Sequence, residues 1–233
     1  MDKDTAKQIM KSGGWLAGVP EPYADRFMAD ALLVEFEPGQ FLFRRDDPPG
    51  GLYGIVEGAV LVGIATPTNS NQLVGYGKTC GWLGQKGSLV GVPRTMTFEA
   101  AGHLTTLHLP LSATAKFLAG GTEETKILAS LSEWHYDMAV GVIADLLIPS
   151  LEQRIASILL RLANYPFGIA GPDGWTIELS QTQIADLSNV SRDNVNRCLT
   201  KFRGRGWLES GYKWIRLTQP EAMRAFVSRD DDD

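Results

Sequence analysis

Two cysteines, Cys80 and Cys198, and three histidines, His103, His108 and His135, are all that a chain of 233 residues offers to a soft metal or a redox centre. Neither cysteine stands in a CxxC or Cys-His spacing. A zinc site or an iron–sulfur cluster draws on about four protein ligands, so no metal site is expected and both cysteines read as reduced thiols. No apolar run approaches the roughly 20 residues that a membrane helix needs, so no membrane contact is expected. The opening MDKDTAKQIMK carries acids and has no apolar centre. It does not read as a secretory signal, which makes the cytoplasm the expected compartment. Nucleophile elbow, P-loop, HExxH and dinucleotide fingerprints are missing. The adjacent acids Glu123/Glu124 and Asp46/Asp47 fit a helix start and a turn, so no enzymatic activity is expected.

Hydrophobic residues make up 44% and charged residues 21%, the balance of a chain that builds proper cores in one large or two modest domains. Net charge is −5, the wrong sign for a nucleic-acid binder if it were spread evenly. It is not. Between Ser191 and Arg216 stand Arg192, Arg197, Lys201, Arg203, Arg205, Lys213 and Arg216 against only Asp193 and Glu209, a window of +5 that leaves −10 for the rest. The closing acids, Asp230 to Asp233, read as a solvated tail.

The hydrophobic period changes twice along this part of the chain. To about Ala31 it is helical, with Pro20 and Pro22 as punctuation. From Leu32 to Pro110 short apolar runs (LLVEF, QFLF, GLYGIV, AVLVGIA, QLVGY, TMTFEA, LTTLHLP) alternate with glycine and proline turns. Many short strands at near-regular spacing predict an antiparallel barrel or sandwich. Leu111 to Ala119 is a short helix, and after Gly120-Gly121 a long one runs to Ile148, with Thr122 as its expected N-cap. Its apolar positions, Leu128, Leu131, Met138 and Val142 with His135 between them, are assigned to a helix that packs on a second chain. After Pro149, LEQRIASILLRLANYP is amphipathic, with Ile155, Ile158, Leu159 and Leu162 on one face, and FGIAGPDGW reads as a loop.

The strongest local signal is LSQTQIADLSNVSRDNVNRCLTKFRGR, Leu179 to Arg205. Ser180 is placed to cap a helix Gln181–Leu187, Ser188-Asn189-Val190 is a tight turn, and Ser191 caps a second helix with Val195, Leu199 and Phe202 on its apolar side. That leaves Arg192, Asp193, Asn196 and Arg197 outward near the helix start, where a recognition helix meets base edges. Arginine can pair bidentately with guanine, asparagine with adenine, and aspartate can accept from cytosine. Ser180, Gln181, Thr182 and Ser191 at helix starts, with Lys201, suit phosphate. Trp207–Glu209 and Trp214–Leu217 flank a turn, a hairpin read as a wing with Lys213 at its tip.

With these segments in hand, the chain resembles the CRP/FNR superfamily of transcription regulators (cyclic-AMP receptor protein and fumarate–nitrate regulator). The resemblance rests on EPGQFLFRRDDPPGGLYGIVEGAVLV and, more specifically, on LSQTQIADLSNVSRDNVNR. It implies an α+β chain: an N-terminal jelly-roll-like β-roll of the cyclic-nucleotide-binding type (1–121), a long dimerisation helix and hinge (122–149), and a C-terminal winged helix-turn-helix (150–233). It places Arg192, Asp193, Asn196 and Arg197 on the family's base-reading positions, with Asp193 one carbon shorter than the usual glutamate. It implies a homodimer on a two-fold symmetric double-stranded DNA operator, with RNA polymerase as a further partner if the protein activates.

In family members that bind cyclic AMP, a Gly-Glu-Leu segment takes the ribose and a following Arg-Ser or Arg-Thr the phosphate. Here the matching residues are Gly81-Trp82-Leu83 and Arg94-Thr95. An indole only donates, so Trp82 leaves the ribose hydroxyl unmet, a loss of about 1–3 kcal/mol. No cofactor is therefore expected and cyclic AMP is disfavoured, while His103, His108 and His135 keep a haem-responsive regulator open. The alternative of another class is a ligand-binding module that acts through protein contacts.

Overall fold

A computed structural model describes residues 1–163 and 175–228. It separates into two compact units, Met1–Asp137 and Met138–Asp233. Of the expected loop FGIAGPDGW, Trp175 is found in a strand instead, and the rest, with the end of the preceding helix beyond Ala163 and the acidic tail, lies outside the described residues.

The first unit opens with helix α1 (Lys3–Lys11), capped by Asp2, whose carboxylate accepts the Thr5 N–H at 2.8 Å. A 3-10 turn, Trp15–Gly18, and helix α2 (Glu21–Phe27) follow. Eight strands come next: β1 (Leu32–Phe36), β2 (Phe41–Phe43), β3 (Leu52–Glu57), β4 (Ala59–Ile64), β5 (Gln72–Lys78), β6 (Trp82–Leu83), β7 (Thr97–Ala100) and β8 (Leu104–Leu109). They pair antiparallel into two four-stranded sheets, ordered β1-β8-β3-β6 and β2-β7-β4-β5. All seven apolar runs predicted as strands are found within a residue or two. The run TMTFEA starts late, at Thr97, and β6 and helix α3 (Gln85–Val90) were not foreseen.

The two faces of the first sheet are buried against different material. The strand residues Leu42, Phe43, Ile55, Val60, Leu83 and Leu104 form an apolar cluster inside the roll. On the other side Leu52, Val56, Trp82, Leu107 and Leu109 meet the helices. Phe27 is the hub there, with Trp15, Trp82 and Phe117 edge-on at 5.5, 5.0 and 5.3 Å between ring centroids. Helix α4 (Leu111–Leu118) and the start of helix α5 (Thr122–Leu147) complete this cluster.

Helix α5 corrects two expectations. Thr122 is its first helical residue, not its cap; the Gly121 carbonyl accepts the Thr125 N–H at 3.2 Å. Leu128 and Leu131, assigned to a dimer seam, are both 0% exposed and sunk in the unit's own apolar cluster. The strand face left by β3 and β8 needs a lid, and α5 supplies it. Glu124, buried on the same face, is held by Arg26 Nη2 at 2.6 Å, and Trp15 Nε1 donates to Ser130 Oγ at 2.8 Å. The division between the two compact units falls inside α5, between Asp137 and Met138, within the segment 122–149 read as dimerisation helix and hinge.

The second unit begins with the end of α5, fastened to helix α6 (Leu151–Leu162) by Asp145, which takes hydrogen bonds from Ser157 Oγ at 2.6 Å and Arg161 Nε at 2.5 Å. Then come β9 (Trp175–Ile177), helices α7 (Gln181–Ser188) and α8 (Arg192–Gly204), strands β10 (Leu208–Gly211) and β11 (Trp214–Leu217), and helix α9 (Pro220–Val227). The sheet order is β10-β11-β9, all antiparallel. Helix α6 buries Ile155, Ile158, Leu159 and Leu162 as expected and packs on α7, α8 and α9.

Leu131→Ala removes a fully buried side chain and is expected to lower the unfolding free energy of the N-terminal unit by about 2–5 kcal/mol, measured by urea denaturation. A loss below about 0.5 kcal/mol would place Leu131 outside the core.

Candidate nucleic-acid interface

The outward face of the C-terminal unit is built by two caps and one turn. Ser180 Oγ accepts the Gln183 N–H at 3.2 Å while Gln183 Oε1 accepts the Ser180 N–H at 2.8 Å, a reciprocal capping box that fixes where α7 starts. Helix α7 stops at Asn189, which takes a left-handed conformation (φ 51°), one that asparagine tolerates better than most residues. The Val190 N–H then closes on the Ala185 carbonyl at 3.1 Å. Ser191 starts α8 by accepting the Asn194 N–H at 3.3 Å.

Helix α8 is amphipathic by position. Val195, Cys198, Leu199 and Phe202 are buried, while Arg192, Asp193, Asn196 and Arg197 are all exposed in its first two turns. Arg192 and Asn196 share one line along the helix, Asp193 and Arg197 the next, since residues four apart lie one above the other. Arg197 Nη2 donates to Asn194 Oδ1, one turn back, which steadies the guanidinium. The sequence reading overlooked Asn194 in this role.

The expected phosphate contacts divide. Thr182 is exposed and Gln181 partly so at the start of α7. The Ser180 and Ser191 hydroxyls serve as caps, so backbone N–H groups are what these helix starts can offer an anion. Lys201 Nζ is ion-paired with Glu152 of α6, a partner 49 residues away that no local pattern announces. The hairpin β10–β11 is tighter than expected. The first strand runs to Gly211 and leaves only Tyr212 and Lys213 as the turn, Lys213 with φ 58° and Tyr212 87% exposed.

The expected effector pocket is rearranged in the structure. Trp82 does not reach it: the indole is 2% exposed and packs on Phe27, while Leu83 faces the interior of the roll. Both faces of their sheet are covered, so the side chains of Trp82 and Leu83 in the short β6 are both buried, and none of Gly81, Trp82 and Leu83 lines the cleft beside Arg94. Arg94 is buried rather than superficial. Its Nη1 donates to the Gly84 carbonyl at 2.9 Å, its Nη2 to the Gly51 carbonyl at 2.8 Å, and it lies 3.9 Å over the Phe43 ring. Gly50 and Gly84 make room for it; a Cβ at Gly50 would stand 2.4 Å from Nη2. A cleft of about 510 Å³ opens beside this arginine, lined by Arg45, Asp46, Ile64, Ala65, Lys86, Val92, Pro93, Arg94 and Thr95.

His135 of α5 closes on the same segment. Its Nδ1 lies 2.9 Å from Gln85 Nε2, the first side chain of α3, and the ring also meets the backbone of Trp82. Burial holds its pKa below the ordinary imidazole value. His108, stacked on Tyr53 at 4.4 Å, is lowered by burial and then by Arg94, whereas His103 is exposed beside Glu37. Both cysteines are free thiols, pushed up by burial. Among the described residues no group of three or more His, Cys, Asp or Glu is placed to hold a metal, and no helix is long and apolar enough to cross a membrane.

A β-roll followed by a long helix and a winged helix-turn-helix defines a class of sensor-type DNA-binding proteins, and sequence comparison agrees. The profile for the cyclic nucleotide-binding domain matches residues 33–120, and that for the Crp-like helix-turn-helix domain matches residues 153–226. The CRP-like cAMP-activated global transcriptional regulator of Mycobacterium tuberculosis is 26% identical over 219 residues, 93% of this chain and 97% of that protein. The CRP-like protein Clp of Xanthomonas euvesicatoria is 26% identical over 208 residues, 83% of this chain and 86% of that one. Among solved structures, FixK2 from Bradyrhizobium japonicum superposes with a TM-score of 0.72 at 19% identity, over 86% of this chain and 98% of that one. The c-di-GMP-responsive regulator CLP of Xanthomonas campestris does so with 0.62 at 20%, over 85% and 99%. The chain belongs to the CRP/FNR family of transcription regulators.

The neutral imidazole of His135 couples the stability of the N-terminal unit to pH. Because the folded pKa lies below the unfolded one, the unfolded chain binds more protons as pH falls. The contribution is complete above about pH 6.5 and is lost as pH drops through the folded value. Thermal melting between about pH 5 and 8 should show this decline, and His135→Gln should flatten it; an unchanged slope would contradict the assignment.

Proposed function

We propose that the protein acts as a homodimer that binds a two-fold symmetric DNA operator, reading bases with Arg192, Asp193, Asn196 and Arg197. The observation that carries this reading is the first half of α8: four hydrogen-bonding side chains exposed on two adjacent lines above a buried apolar underside. Guanine, adenine and cytosine edges in the major groove match those groups. Backbone N–H groups at Gln181 and Thr182, Lys201 and the wing tip Lys213 supply phosphate contacts. The protein acts by binding, without a catalytic step, in the cytoplasm, and RNA polymerase is its further partner where it activates.

A second copy is supported by the other face of α5. Tyr136, Val140, Ile143 and Leu147 recur in steps of four and three and are 64%, 44%, 57% and 74% exposed. Such spacing is that of a helix seam between two chains. Of the seam residues inferred from sequence, Leu128 and Leu131 are in the core, His135 is half-buried against Gln85, and only Met138 (51% exposed) and the half-buried Val142 remain open, so the seam proposed here is a different line of residues.

The effector we propose is not cyclic AMP, although the reason differs from the one read in the sequence. Both ends of the Arg94 fork are spent on backbone carbonyls, and the one carboxylate lining the cleft, Asp46, lies 3.3 Å from Arg45. The relatives named as cAMP-activated and c-di-GMP-responsive differ from each other, so neither effector carries over by name. Haem is disfavoured because His135 is engaged by Gln85 and the Trp82 backbone.

Arg197→Ala should cost about 1–3 kcal/mol on the operator and little on random duplex, measured by fluorescence anisotropy. Equal losses on both would refute base reading. Ile143→Asp should shift the sedimentation coefficient from dimer to monomer with the fold intact by circular dichroism; an unshifted dimer would place the seam elsewhere.

A further inference from the structure

The cations of the C-terminal unit are not equivalent. Of the seven bases between Ser191 and Arg216, three face a carboxylate. Arg216 pairs with Glu209 at 2.5 Å across the wing, while Lys201 and Arg205 share Glu152, which lies outside that window. Glu152 Oε1 meets Lys201 Nζ, and its Oε2 stands 4.0 Å from Arg205 Nη2. Among the described residues, Arg192, Arg197, Arg203 and Lys213 carry no ion pair. The base-reading arginines are thus free of acids, whereas a cation assigned to the DNA backbone is matched by one.

Local helix electrostatics explain why both partners stand where they do. Glu152 lies in the first turn of α6, just after its cap Ser150, where a negative charge meets the positive end of the helix. Lys201 lies in the last turn of α8, where the opposite holds. Neither residue needs the other to favour its own helix. What the pairing adds is specific to a third party. The Lys201 side chain is 59% exposed and that of Glu152 26%, so the lysine is open to an approaching phosphate while its Nζ is already held by the carboxylate, and the two anions compete for it.

We propose that Glu152 is a residue that sets the sequence-independent part of DNA affinity, by competing with phosphate for Lys201. This rests on the reading of the C-terminal unit as DNA-binding. Phosphate contacts act on every duplex, so a carboxylate that weakens one of them lowers binding to random and operator DNA alike. The contacts of Arg192 and Arg197 to base edges are left whole. At a given protein concentration, random DNA then falls below the occupancy threshold first, and sites read by bases remain filled.

The test measures anisotropy of the full-length protein on a random-sequence duplex between about 50 and 200 mM salt. Glu152→Gln should tighten binding about two- to fivefold at the low end, the range expected for one exposed ion pair. It should also steepen the log–log salt dependence by up to about 0.9 per lysine released. In a Lys201→Ala background the same change should have less than about a twofold effect. Glu152→Asp keeps the first-turn charge and withdraws the carboxylate by one methylene; it should tighten binding in the same direction by less, and carries the test if Glu152→Gln lowers the melting temperature. Lys201→Ala weakening while both Glu152 variants keep the wild-type affinity and slope would overturn the inference and leave the DNA reading standing. Lys201→Ala without effect would remove the phosphate contact on which the inference stands. Absence of salt-dependent binding by the wild-type protein would instead show that the DNA reading itself had failed.

Discussion

The polar face of α8 can look outward only because its other face is sunk. Val195, Leu199 and Phe202 are 0–1% exposed and Cys198 3%, so rotation of the helix about its axis would bring buried apolar surface into water. At about 25 cal/mol per Å², withdrawing even one such side chain costs more than any exposed contact on the opposite side can return. The caps fix the axial position in the same way. Ser191 sets the first turn, and the left-handed Asn189 sets the direction of entry. Rotation and register are therefore decided by packing, and the chemistry of Arg192, Asp193, Asn196 and Arg197 is free to vary without disturbing the fold.

Helix α5 shows a second consequence of one helix having two sides. Its N-terminal half is a structural lid, with Leu128, Leu131 and Glu124 buried beneath it and Arg26 neutralising the one charge enclosed. Its C-terminal end is tied to α6 through Asp145, which accepts from both Ser157 and Arg161. A buried carboxylate kept by two donors is costly to leave unpaired, so each end of the helix is committed to its own unit. Between these attachments α5 leaves Tyr136, Val140 and Ile143 in solvent.

Much of this was legible in the sequence where a signal is local. Serine caps, an Asn turn and a 3.6-residue apolar period located α7 and α8 within a residue, and short apolar runs between glycine and proline turns located most strands. Long-range partners were not legible. The apolar stripe of α5 is broad enough to serve two surfaces, and nothing in its spacing says which line the unit's own sheet will cover; the line chosen from sequence is covered at Leu128 and Leu131 and open at Met138. Trp82 was misplaced for a related reason. A motif match assigns a position but not the side of the sheet that a two-residue strand turns toward. Strand β9, only three residues long, pairs with β11, a long-range partner that no local pattern announces. The Glu152–Lys201 pair joins residues 49 apart and has no sequence signature at all.

The central claim is that an outward, apolar-anchored α8 reads base edges in two copies. Selection of the purified protein against a pool of random duplexes, followed by sequencing of the bound fraction, tests it most directly. The account predicts an inverted repeat whose half-sites each contain an invariant guanine and whose centres lie one helical turn apart, roughly 34 Å. An unenriched pool, or a single asymmetric motif, would contradict it.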